Sequence, residues 1–176
     1  MRKKVVAQEV NVNDRIKYGG IKWVVLDKME EGILILAENC CFFDRFAGDN
    51  DWVKSPLRNS MNAIGENGKF TRKELAKIKP DDLIPMTRGL LTDDGMDDYG
   101  TCEDLISMYT AEEYRRYRKH IPTVKDRCFT ITADSLIYNK LVRYVTPNGT
   151  LNGCNCVNVN GVRPFCIIKS NIFVSR

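Results

Sequence analysis

Chemistry in this chain has few places to start: one histidine, seven cysteines and a cluster of aspartates. A hydrolase needs a nucleophile within hydrogen-bond reach of a base. His120 closes a basic stretch just before Ile121-Pro122, where a helix dipole favours a cation, so a capping role is expected. No Gly-x-Ser-x-Gly elbow and no phosphate-cradling glycine loop is present, and the chain reads as no enzyme. Cys40 and Cys41 are adjacent, and Cys154 and Cys156 are separated by one residue. Zinc pairs favour about two to four intervening residues. On a strand Cys154 and Cys156 share a face, so they can converge as ligands or sit as small buried fillers. Asp93-Asp-Gly-Met-Asp-Asp98 looks like a calcium loop but lacks the full spacing and the closing glutamate. No cofactor is expected and no metal site is assigned.

Recognition chemistry is better represented. The net charge is +4, but it is unevenly spread. Residues 81–113 carry ten acids against one base, Arg88, and residues 135–176 carry no acid at all. Such a chain should present an acidic side and a basic side. Within Lys140–Asn160, Arg143, Tyr144, Asn155, Asn158 and Asn160 offer adaptable hydrogen bonding with large contact area, the chemistry of a paratope. This is the expected partner-binding face. The rival surface is acidic: Asp93, Asp94, Asp97, Asp98, Glu103 and Asp104. A third set, Arg115, Arg116, Arg118 and Lys119 with Tyr114 and Tyr117, fits nucleic acid, but +4 is a weak balance for it.

The elements that must hold these residues read as α+β. Ile21–Leu26 and Ile33–Ala37 form a hairpin around a turn at Lys28–Gly32, and the second run, apolar on both faces, is a central strand. Ser55 caps a short helix with Pro56 in its first turn and Leu57 and Met61 on one face. Thr71-Arg-Lys-Glu74 is a capping box for a second helix that Pro80 closes. Residues 79–102, rich in Gly and Pro, read as an acidic loop-like insertion in a single domain over 1–176. Thr110–Glu113 opens another helix, ending near Lys119. Cys128–Ala133 and Lys140–Thr146 are strands, Pro147-Asn-Gly149 is a tight turn, and Gly161–Ile168 is a final strand led by a stiff Arg163-Pro164 step. The basic start has no apolar run behind it, and no stretch reaches the roughly 18 apolar residues of a membrane span. A cytoplasmic protein with reduced cysteines follows.

Taken in order, Trp23-Val-Val-Leu26, Trp52-Val-Lys-Ser-Pro-Leu-Arg-Asn-Ser-Met-Asn62, Glu103-Asp-Leu-Ile-Ser, Ile121-Pro-Thr123, Arg143-Tyr-Val, Asn148-Gly-Thr and Gly161-Val-Arg-Pro164 form a pattern. Over about residues 20–170 the chain resembles domain-of-unknown-function family 6273 of bacteria and their phages. That family is related to C-type-lectin-like folds of the formylglycine-generating and retroelement-diversified kind. The resemblance implies a C-type-lectin-like mixed β-sheet with two or three short helices and long irregular loops, binding ligands through its C-terminal half. The family's Trp-Trp-Leu-Arg-Ser-Pro-like stretch is replaced by Arg127-Cys-Phe-Thr-Ile-Thr-Ala133. The copper chemistry of the formylglycine-generating relatives has no matching motif here.

The expected function is a non-catalytic bacterial or phage binding module whose partner is a protein or other macromolecule. The alternative is a phage-encoded inhibitor of a host defence nuclease, anti-CRISPR-like, in which the acidic segment mimics phosphates. Weak nucleic-acid binding is the third reading. For Trp52, Arg58 and Arg163 the expectation is structural: a docking anchor, a loop tie, and a buried ion pair or loop clamp.

Overall fold

The computed structural model describes residues 3–176. Short strands come first: Lys4–Val6 (β1), Arg15–Tyr18 (β2), Ile21–Lys28 (β3), Gly32–Ala37 (β4) and Phe42–Arg45 (β5). The helix Pro56–Asn62 (α1) follows, then Leu83–Ile84 (β6), Met86–Gly89 (β7) and Thr101–Asp104 (β8). After the helix Ala111–Tyr117 (α2) come Cys128–Ala133 (β9), Leu141–Val145 (β10) and Leu151–Asn155 (β11). Val159–Val162 (β12), Phe165–Lys169 (β13) and Phe173–Ser175 (β14) end the series. The architecture is α+β with β dominant. No helix among the described residues is long and apolar enough to cross a membrane.

Seven strands form an antiparallel sheet in the order β1-β14-β2-β3-β4-β13-β6. Five form a second sheet, β11-β10-β9-β12-β5, which is mixed because β12 runs parallel to β9. β7 and β8 pair alone. All six residues of β4 are buried, and its neighbours are β3 and β13, so the doubly apolar run is the central strand it was expected to be. Gly32, at the start of that strand, is needed for a close approach, because a Cβ there would lie 2.4 Å from the Ile168 carbonyl oxygen.

The two sheets are sewn together at one seam. The chain crosses from β4 to β5 through residues 38–41 and returns from β12 to β13 through Arg163-Pro164. Ala37 N donates to Pro164 O at 2.8 Å, and Cys41 N to Val162 O at 2.9 Å. Arg163, 2% exposed, donates to the carbonyls of Ala37, Glu38 and Pro122. It is therefore a clamp on the seam, with no carboxylate partner among the described residues. The expected strand over Gly161–Ile168 is split here into β12 and β13, and β14 rather than β13 is the last strand.

Both helix starts form as their sequences predict. Ser55 Oγ accepts from Arg58 N and also donates to Phe46 O at 2.6 Å, so the cap ties α1 to the preceding loop. Thr110 and Glu113 complete a capping box. The Glu113 carboxylate also takes both terminal nitrogens of Arg88, at 2.8 and 2.6 Å, which docks α2 on β7. Two expectations fail. Residues 71–78 are successive tight turns and no helix, with Leu75 N bonded to Arg72 O and Ile78 N to Leu75 O. The Glu74 carboxylate faces Arg72 at 3.6 Å, while Arg72 itself is drawn to Asp44, Ser60 and the face of Phe42. No box closes on Thr71. Residues 79–102 are no plain loop, for β6 joins the large sheet and β7–β8 form a hairpin.

Candidate functional site

The two surfaces that looked like rivals meet at one end of the five-stranded sheet, and Asn50 is the residue that joins them. It is fully buried. Its Nδ2 donates to Ser135 O at 2.9 Å and Leu141 O at 2.8 Å, its backbone N donates to Asn139 O at 2.8 Å, and its Oδ1 accepts from Tyr99 Oη at 2.7 Å. The side chain has two amide protons and an acceptor, and each has a partner. Asn50 thus fixes both feet of the 134–140 loop between β9 and β10 and ties it to the acidic segment. Lys140 Nζ adds a bond to Gly48 O at 2.8 Å.

A loop held this firmly at its base displays two large apolar side chains at its tip. Ile137 is 72% exposed and Tyr138 69% exposed. Beside it lies the β11–β12 turn, since Cys156 N donates to Lys140 O at 2.9 Å. Val157 and Val159 are also about half-exposed there. A groove of about 520 Å³ continues from this turn, walled by Phe46, Ala47, Pro56, Leu57, Arg72 and Val157. Loop and groove share Gly48, which lines the groove and receives Lys140.

The expected partner-binding residues divide on this frame. Asn155 and Asn158 stand exposed on the turn. Asn155 is partly committed, because its Oδ1 accepts from Val157 N at 3.1 Å. Tyr144 and Asn160 are each 6% exposed and do not belong to a contact face. Tyr144 lies on the inward side of β10 opposite Phe129, and Asn160 donates to Cys154 Sγ at 3.3 Å. Arg143 is neutralised by Asp93 at 3.3 Å and Asp134 at 3.1 Å, so this face is not the basic one expected. The acids of one segment fold onto the base of the other.

The acidic surface shrinks for the same reason. Asp93 also pairs with Arg115 at 2.9 Å. Asp104 is 2% exposed and is a structural anchor, accepting from Trp52 Nε1 at 2.8 Å and Arg58 Nε at 2.7 Å. Trp52 and Arg58 therefore have the structural roles expected of them. Asp94, Asp97, Asp98 and Glu103 remain exposed. A hydrogen bond from Thr92, then one from Ser135, holds the Asp94 carboxyl below its ordinary range.

Most of the remaining candidates are occupied. Tyr114 is buried and donates to Gly149 O, and Tyr117 donates to Asp27 at 2.8 Å. Arg115 and Arg116 face Asp93 and Glu112. Arg118 bonds Tyr114 Oη, and Lys119 is exposed with no carboxylate partner among the described residues, but the set presents no exposed stacking ring of the kind nucleic acid needs. His120 Nδ1 bonds Asn13 Oδ1 at 2.7 Å. Cys154 and Cys156 are buried, and burial pushes their thiols up to about 11 and about 12. Among the described residues, no three or more His, Cys, Asp or Glu side chains converge as metal ligands. Sequence reasoning missed Ile137 and Tyr138. The apolar triplet Leu136-Ile-Tyr138, placed after a completed strand and before Asn139, was the available signal. No protein-family model, no curated protein and no solved structure matches this chain.

Proposed function

We propose that the chain is a non-catalytic binding module of bacterial or phage origin, cytoplasmic and lectin-like in fold, that recognises a protein partner through the 134–140 loop and the β11–β12 turn. One observation carries this reading: Ile137 and Tyr138 are mostly exposed on a loop whose base is fixed by a fully buried asparagine. Apolar side chains on a rigid support lose little entropy on association, which is what a contact anchor requires. Asn155, Asn158 and Asp94 supply a polar rim around them. The test compares the unmodified protein with an Ile137→Lys/Tyr138→Ala variant in affinity capture from bacterial lysate and in thermal melting. The expected result is loss of the captured protein with an unchanged Tm. Equal capture by both would overturn the reading.

The inhibitory alternative draws on Asp94, Asp97, Asp98 and Glu103, which remain exposed, Asp94 being tied to Ser135 of the same loop. Ionic strength separates the two. Apolar anchoring tolerates salt, whereas a phosphate-mimicking contact weakens steeply as the Debye length shrinks to about 8 Å at physiological salt.

A further inference from the structure

We propose that Cys40 and Cys128 form a peroxide-oxidisable dithiol, in which Cys40 attacks the peroxide and Cys128 resolves the product into a disulfide. This goes beyond the binding reading and does not depend on it.

The two sulfurs lie 3.1 Å apart although 88 residues separate them along the chain. A disulfide needs about 2.05 Å, so closure moves them by roughly 1 Å. Both belong to the seam between the sheets. Cys40 sits in the crossing from β4 to β5, and Cys128 opens β9. Gly161 keeps the space open, for a Cβ there would meet Cys40 Sγ at 2.3 Å. Cys40 is half-buried, within reach of a small molecule, while Cys128 is enclosed.

The surroundings favour an anion at Cys40. Among the described residues Arg163 is buried with only carbonyl partners, yet buried charges in proteins are normally matched by an opposite one. A Cys40 thiolate supplies that charge. The hydrogen bond from Cys128 holds the Cys40 thiol below its ordinary range, and Arg163 adds to this, against burial and the nearby Asp126. Cys41 and Cys166 go the other way, pushed up mainly by burial. Tyr109 is an independent observation. Its fully buried hydroxyl has no hydrogen-bond partner among the described residues and lies within electrostatic reach of Cys128, Arg163 and Cys40. An unmet O–H within electrostatic reach of two thiols and a cation suits a small polar guest better than an apolar one.

The step balances with hydrogen peroxide as oxidant. The Cys40 thiolate attacks one peroxide oxygen. An S–O bond forms, the O–O bond breaks, and hydroxide leaves and takes a proton to become water. Cys128 then attacks Cys40 Sγ, the S–O bond breaks, and the second oxygen leaves as water with the Cys128 proton. Two thiols lose two electrons and two protons, and peroxide takes up both to become two waters.

The experiment adds stoichiometric hydrogen peroxide to the reduced full-length chain, alkylates the remaining thiols and maps the peptides by mass. A Cys40–Cys128 peptide lacking two hydrogens is expected, with the other five cysteines alkylated. Cys128→Ser should stop at a Cys40 sulfenic acid that dimedone labels. Cys40→Ser should abolish the disulfide and leave Cys128, enclosed and with its thiol raised, unoxidised under the same conditions. The unmutated protein carries the test if a variant does not fold. Its map is decisive, and a disulfide between other cysteines, or Cys40 reacting no faster than Cys102, overturns the proposal.

Discussion

Gly161 shows at the level of a single residue how close the seam is packed. A methyl group there would meet Cys40 Sγ at 2.3 Å and Arg127 O at 3.0 Å. Overpacking of this kind costs about 1–3 kcal/mol. Gly161→Ala should therefore lower Tm by several degrees in a chain of this size, at roughly 2–4 °C per kcal/mol. Truncating the obstructing side chain should return part of the loss. In a double-mutant cycle, Gly161→Ala with Cys40→Ala should be more stable than the sum of the single changes. Strict additivity in thermal melts would show that the sulfur is not what occupies the space. The sequence displayed Gly161-Val-Arg-Pro164 as a motif but not its reason, because the obstructing atom comes from a cysteine 121 positions earlier in the chain.

Elements were legible where their cause is local. Ser55-Pro56 and Thr110–Glu113 carry their own capping partners within four residues, so both helix starts could be read directly. Thr71–Glu74 has the same letters and no helix, since Arg72 and Glu74 answer to Asp44, Ser60 and each other. β7 and β8 were hidden because each is only four residues long and the acids between them read as solvated loop. The double duty of Glu113 predicts a graded series for α2. Glu113→Gln keeps a side chain able to close the capping box but removes the charge facing Arg88, which is 3% exposed. Glu113→Ala removes both. Breaking a pair with one buried partner costs up to about 3–5 kcal/mol, and loss of a cap about 1 kcal/mol. Urea melts should rank wild type above Gln and Gln above Ala; equal Gln and Ala variants would mean the box adds nothing. For the 134–140 loop the critical residue is Asn50. Asn50→Ala leaves the carbonyls of Ser135 and Leu141 and the hydroxyl of Tyr99 without their partner. It should cost about 2–3 kcal/mol and raise amide exchange across 134–140. Unchanged exchange there would remove the argument that the loop is held rigid.

Across the whole molecule the cysteines pull stability in opposite directions with pH. The ordinary thiol value is 9.0, and in the folded chain Cys40 lies below it. Between the folded and ordinary values the unfolded chain binds more protons at Cys40, so stability rises with pH and is lost again as pH falls through the folded value. Buried thiols do the reverse. Cys154 is pushed up to about 11 and Cys41 and Cys156 up to about 12, mainly by burial, and Cys166 is raised as well. Above pH 9 the unfolded chain releases these protons while the folded chain keeps them, so stability falls as pH rises toward 11. Each group adds a slope of at most about 1.4 kcal/mol per pH unit. Several thiols act together on the alkaline side and one acts on the other, so the alkaline limb should be the steeper. Denaturation midpoints under reducing conditions from pH 7 to 11 should pass through a maximum close to the ordinary thiol value. Cys40→Ala should flatten the rising limb and, because Cys40 is what chiefly raises Cys128, soften part of the fall as well, whereas Cys154→Ala should soften only the fall. Stability that kept climbing past pH 9 would mean that the buried thiols ionise in the folded protein, and the packing around them would then have to be wetter than the fold describes.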